Sequence, residues 1–251
     1  MNTMARAWRS YRHAAGLCLA AFAALLPSQY LAAADAVNLE GTWKITAAQV
    51  SFKPASGSIP FTEKGRKRYQ ENKRNLAKRN YDDFDYMTAR CASPGLPRLM
   101  LTPDRFRIWQ RDGLTMFQFE WNRLFRQIDM GGLLPQFKPG ISADDDEAVG
   151  RAVPISTGRW EGDTLVVTTE GFNETTLVDN LVPHGYDLKL TERIRLENAD
   201  TLVDRITIED PEYFTKPWET VVTYKRQADA TFPENVCLDK LPHAQPPVQH
   251  P

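Results

Sequence analysis

From residue 98 to residue 225 the chain is assembled from short segments in which apolar and polar side chains alternate, cut at intervals by turn residues. Alternation with a period of two sends one set of side chains to a core and the other to water, which commits a segment to a half-buried β-strand. Leu99–Thr102, Arg105–Gln110, Leu114–Trp121 and Leu124–Ile128 follow one another, with turns at Pro103-Asp104, Asp112-Gly113 and Asn122. A hairpin around Glu161-Gly162-Asp163 leads into Thr164–Thr169, β-branched apart from Leu165, and Gly171 ends it. Leu188–Leu196 and Thr201–Asp210 flank a turn at Asn198-Ala199-Asp200, and Trp218–Lys225 closes the series. With Leu39–Ile45 as a first strand, about eight to ten short strands joined by short loops predict a mainly β domain. The architecture expected is a single antiparallel barrel, lipocalin-like, or a sandwich.

One helix stands apart. Thr62 can cap a helix running to about Arg79, and its side chains are mostly basic, with little apolar surface to bury. It is expected to lie on the surface, its charge answered by Asp82, Asp83 and Asp85. Residues 1–36 are expected to form a signal peptide. Arg6, Arg9 and Arg12 precede the apolar run Ala14–Leu26, and small residues near Ala34 and Ala36 suit cleavage. The domain plan is therefore 1–36 signal peptide, 37–61 first strand and linker, 62–80 basic helix, 81–226 barrel, and 227–251 a tail. The location implied is periplasmic or secreted.

Cleavage removes Cys18 and leaves Cys91 and Cys237, which in an oxidising compartment read as one disulfide tethering the tail. Loop-closure entropy values such a bridge at roughly 4–5 kcal/mol. A net charge of −1 gives no footprint for nucleic acid, and no membrane-spanning segment is expected after signal cleavage. With His184, His243 and His250 the only histidines beyond the signal, a histidine-rich metal site is not expected. No cofactor motif is present: there is no phosphate loop and no nucleophile elbow. The run Asp144–Glu147 is contiguous where calcium loops alternate ligands with spacers, and reads as a solvated loop tip.

Strand parity locates the candidate chemistry. Leu188, Leu190, Ile194 and Leu196 share a face, and Glu192 stands in the middle of that row. A carboxylate facing a core must find a partner or take up a proton. Two readings follow: a general acid–base group of raised pKa, or a structural pair with a buried arginine. Asp204 repeats the pattern among Leu202, Ile206 and Ile208, and His184 sits in the loop entering the Glu192 strand. Glu192 and His184 are the catalytic candidates. Trp160, Arg159, Arg193, Asp204 and Glu120 are the candidate ligand contacts. Phe117, Phe119 and Trp121 share one face and are assigned to packing.

Several blocks occur in a distinctive order: Cys91-Ala92-Ser93-Pro94-Gly95-Leu96-Pro97-Arg98, then Gly158-Arg159-Trp160-Glu161-Gly162-Asp163-Thr164-Leu165-Val166-Val167, Thr191-Glu192-Arg193, Thr207-Ile208-Glu209-Asp210-Pro211 and Lys216-Pro217-Trp218. In this the chain resembles a large family of exported, mostly uncharacterised bacterial β-rich proteins, from about residue 60 to residue 240. The resemblance implies a small secreted β-rich protein and carries no activity with it. Asp129-Met130-Gly131-Gly132-Leu133 stands where that group has Asp-Gly-Arg-Pro-His, Gly185 where it has Pro-His-Ser, and Leu177 where it has Trp-Leu-Asp. Such changes in loops point to ligand choice being set there.

Three functions are consistent with these features. The first is a barrel that binds a small apolar or aromatic molecule in its lumen. The second is a cofactor-free lyase, isomerase or hydratase using Glu192 and His184 as acid and base, with Arg193 or Arg159 steadying an anion. The third is a structural or envelope-associated protein acting through the basic helix.

Overall fold

The computed structural model describes residues 37–132, 151–233 and 235–240. The expected signal peptide, the acidic run at 144–147 and the end of the tail lie outside the described residues. Nine strands close into a barrel in chain order: β1 (Gly41–Ile45), β2 (Phe106–Arg111), β3 (Leu114–Phe119), β4 (Phe125–Asp129), β5 (Ser156–Glu161), β6 (Thr164–Thr169), β7 (Lys189–Asn198), β8 (Thr201–Glu209) and β9 (Trp218–Arg226). Of the two architectures that the strand pattern allows, the barrel is the one formed. The 81–226 interval supplies eight of the strands; the ninth, β1, comes from the 37–61 segment and pairs with both β2 and β9.

Every neighbouring pair is antiparallel except one. β4 and β5 run parallel and meet over two residue pairs, Ile128 with Ser156 and Asp129 with Thr157. Gly158 makes that approach possible, because a Cβ there would stand 2.6 Å from both Ile128 Cγ2 and Met130 Sδ. The glycine that opens the Gly158–Val167 block is thus a packing requirement. The Gly162-Asp163 turn that follows places Gly162 at φ +61, where a side chain is strained.

Period two works as expected inside the barrel. Phe106, Phe117 and Phe119 are buried and share the interior with Tyr224; the Phe106 and Tyr224 rings meet edge to face at 4.9 Å. Trp43 is fully buried, donates from Nε1 to the Leu39 carbonyl at 3.0 Å, and carries the Arg226 guanidinium over its ring at 4.2 Å.

Leu99–Thr102 departs from the expectation of a strand. Arg98–Leu101 is a 3-10 turn, with Leu99, Met100 and Leu101 all buried. Three consecutive buried residues cannot alternate across a sheet, and prolines at 97 and 103 bracket the segment. The turn packs onto the barrel interior instead: the Tyr224 hydroxyl donates to the Met100 carbonyl at 3.0 Å.

The basic helix forms as read, α1 (Glu63–Lys78), with the Thr62 side chain accepting from the Gly65 amide and Arg79 ending it in the left-handed region. It is anchored by its few non-basic contacts. Gly65 lies against the Tyr213 carbonyl, 2.2 Å from where a Cβ would be, and the buried Asn72 amide donates to the Leu181 carbonyl at 2.8 Å. A second short helix, α2 (Tyr86–Arg90), is capped by Asp85, which also takes both guanidinium nitrogens of Arg98 at 2.7 and 3.0 Å. Cys91 follows α2 and is bonded to Cys237. Among the described residues no helix is long and apolar enough to cross a membrane.

Candidate functional site

Inside the barrel, five consecutive strands, β4 to β8, contribute polar side chains to one cluster. Arg126 on β4 and Glu192 on β7 form a bidentate pair at 0% and 1% side-chain exposure, with Nη1 to Oε1 at 2.8 Å and Nη2 against Oε2. Arg126 Nη2 also donates to Thr169 Oγ1 on β6 at 3.3 Å and reaches Ser156 Oγ on β5 at 3.5 Å; the two hydroxyls bond to each other at 2.7 Å. Burial works against the Arg126 charge, and the Glu192 carboxylate more than offsets it, holding the guanidinium pKa above its ordinary value.

Asp204 on β8 completes the cluster. It is wholly buried, and among the described residues no donor reaches either carboxylate oxygen. Two carboxyl groups therefore face a single guanidinium in a closed core. Burial first, and then the neighbouring Glu192 charge, raises the Asp204 pKa well above that of a free aspartate. With a proton in place Asp204 becomes a donor and Glu192 its acceptor, which resolves the charge count and gives one of the two orphaned oxygens a partner.

His184 lies elsewhere. Its Nδ1 is 2.9 Å from the Gly185 carbonyl and its Nε2 is 2.9 Å from Thr176 Oγ1. A carbonyl only accepts, so Nδ1 carries the hydrogen and Nε2 accepts from the Thr176 hydroxyl. Burial lowers its pKa from 6.5 to about 4, so the imidazole is neutral at neutral pH. The unfolded chain binds this proton below pH 6.5 and the folded chain only below about 4, so stability is lost as pH falls across that window. The expected loss is about 3 kcal/mol. Denaturant unfolding at pH 7 and pH 4 should show a smaller drop for His184→Gln than for the parent. Equal drops would mean that this histidine does not resist protonation.

The structure does not bring Glu192 and His184 together: they share no hydrogen-bond partner, and the cavity that His184 lines has no wall from Glu192. An acid and a base acting on one substrate must both reach it. Arg193 points outward from β7 and pairs with Glu161 at 2.9 Å, which also holds Arg159. Glu120, expected among the ligand contacts, is buried against Arg105, with Arg105 Nε at 2.6 Å.

Trp160 and Arg159 do meet a cavity. At the end of the barrel where the β2–β3 and β5–β6 hairpins turn, a space of about 650 Å³ is lined by Trp160, Arg159, Met130, Gln110, Thr115 and Arg111, among others. Trp160 follows Ser156 and Gly158 on the inward parity of β5 and packs, half-buried, on the core. It therefore forms the floor of a barrel mouth.

The residue that sequence reasoning missed is Arg126. Its signal was of the same kind as that of Glu192: Leu124, Arg126 and Ile128 share a face, so a charge stands in an apolar row.

The chain matches no family model and no curated protein.

Proposed function

We propose that this is an exported barrel protein that binds a small apolar or aromatic molecule at the mouth of its lumen. The observation carrying this reading is the cavity of about 650 Å³ floored by Trp160. Its size is that of small-molecule sites, and barrel mouths are among their usual places. Deeper in, Phe117, Phe119 and the Arg126–Glu192 pair occupy the interior, so the space for a ligand lies at the end. Trp160 and Met130 offer the apolar wall, and the polar and charged groups around them, Asn38, Glu40, Gln110, Arg111, Asp112, Thr115 and Arg159, can orient a ligand that carries polar substituents on its ring. Export is supported by the Cys91–Cys237 disulfide, a bond that persists in oxidising compartments.

A thermal-shift screen with small aromatic and apolar compounds tests the proposal. A ligand that binds only the folded state at 100 times its Kd adds about 2.7 kcal/mol of stability. At least one compound should raise the melting temperature, and Trp160→Ala should abolish the shift without lowering the unliganded midpoint by more than a few degrees. A broad panel with no stabiliser, or a shift that survives Trp160→Ala, would sink the reading.

A further inference from the structure

A second cavity, of about 490 Å³, lies between the helical segment and the loop that carries His184, apart from the barrel mouth. Four aromatic rings line it, those of Phe84, Tyr86, Tyr186 and Tyr213, together with His184. Two of these rings already hold a cation of the protein near a face: the Lys64 ammonium is 4.9 Å from the Tyr213 centroid and the Arg90 guanidinium is 5.2 Å from that of Tyr86. Phenol rings present a negative face, and several converging rings favour an organic cation over a neutral molecule of equal size.

Charge in the walls points the same way. Asp83 and Glu174 line the cavity, and Glu174 forms no ion pair among the described residues. The one lining guanidinium, Arg68, is committed to Glu71 at 3.1 Å and to the Asp83 carbonyl at 3.4 Å. His184 is held neutral by burial and adds no positive charge. Asp83 likewise has no ion pair among the described residues and accepts only from the Asn80 amide, so the walls carry two carboxylates outside any ion pair, one guanidinium already engaged, and four aromatic rings.

We infer that this cavity binds a small organic cation, a quaternary or methylated ammonium group, against Tyr86, Tyr186 and Tyr213, with Glu174 as its counter-charge. The site is independent of the ligand at the barrel mouth. The two can be separated, because Trp160 does not line this cavity.

Calorimetric titration of the full chain with choline, and with its neutral tert-butyl isostere, tests the inference. Choline should bind and the isostere should bind at least about tenfold more weakly. Tyr186 is 56% exposed, so Tyr186→Ala leaves the fold intact, and it should weaken choline roughly 3–30-fold. Glu174→Gln should weaken it in the same direction, and Trp160→Ala should leave it unchanged. The inference is overturned by absence of choline binding into the tens of millimolar, by equal binding of the isostere, or by an unchanged affinity in Tyr186→Ala. Loss of choline binding in Trp160→Ala would place the cation at the mouth and overturn it too.

Discussion

Arg126→Met is expected to lower the stability of the fold by roughly 3–5 kcal/mol, read as a fall in the denaturant midpoint at constant slope. The cost is not the loss of an attraction as such. Removing the guanidinium strands Glu192 in a closed interior with Asp204 beside it and no positive charge to answer either. Replacing Glu192 by leucine at the same time should recover most of that loss, since a buried pair exchanged for apolar groups of similar volume is often close to neutral. A loss below about 1 kcal/mol for Arg126→Met would mean that water reaches the cluster. Asp204→Asn should act in the opposite sense. A carboxyl whose folded pKa is raised contributes fully below the unfolded value of 3.8 and loses that contribution as pH rises towards the folded value. The amide carries no such proton, so the variant should gain on the parent at pH 8 and not at pH 3. The same gain at both pH values would remove the shared-proton account.

The second large effect belongs to the disulfide. Cys91 and Cys237 are 146 residues apart, and loop-closure entropy assigns about 5 kcal/mol to a bridge of that span, with measured losses for native disulfides of roughly 2–5 kcal/mol. Cys91→Ser with Cys237→Ser, or the parent unfolded in reductant, should show a loss within that range. The bridge also keeps a short tail segment on the barrel. The Asn122 amide donates to the Asn235 carbonyl at 2.9 Å, and the Cys237 amide to Asn122 Oδ1 at 2.7 Å. These contacts are few, so amide exchange near Asn122 should rise sharply once the bridge is cut. An unaltered unfolding midpoint would show that the tail contributes nothing to the fold.

What the sequence revealed depended on whether the signal was local. Glu192 could be placed in the interior because parity carries along a strand without knowledge of any neighbour. Arg126 offered the same signal but in a strand of five residues, next to a phenylalanine, Phe125, that is 50% exposed. A run that short holds too few residues of either parity to mark one face as buried. The segment Leu99–Leu101 differs from its strand pattern for another reason. An apolar triplet states that it is buried but not by which backbone geometry. His184 looked like a loop residue and is one; its burial comes from Phe172, whose ring meets it edge to face at 5.9 Å, and from Thr176. No periodic pattern encodes contacts between loops. Closure of the barrel by β1 was equally hidden, because its partners β2 and β9 are distant in sequence.

A ring made of an odd number of strands cannot alternate direction all the way round, so a cylinder of nine must contain a like-directed pair. Here that pair is also the one with the shortest register, and the ladder is thinnest between β4 and β5. The Arg126 side chain spans that gap from within, touching β5 through Ser156, β6 through Thr169 and β7 through Glu192. The charged cluster is the clasp of the cylinder, fastened where the main chain holds least. That duty ties the Glu192 side chain to the wall of the barrel through Arg126. Chemistry or recognition acquired by this fold has its room at the mouth and on the loops, where side chains can change without opening the ring.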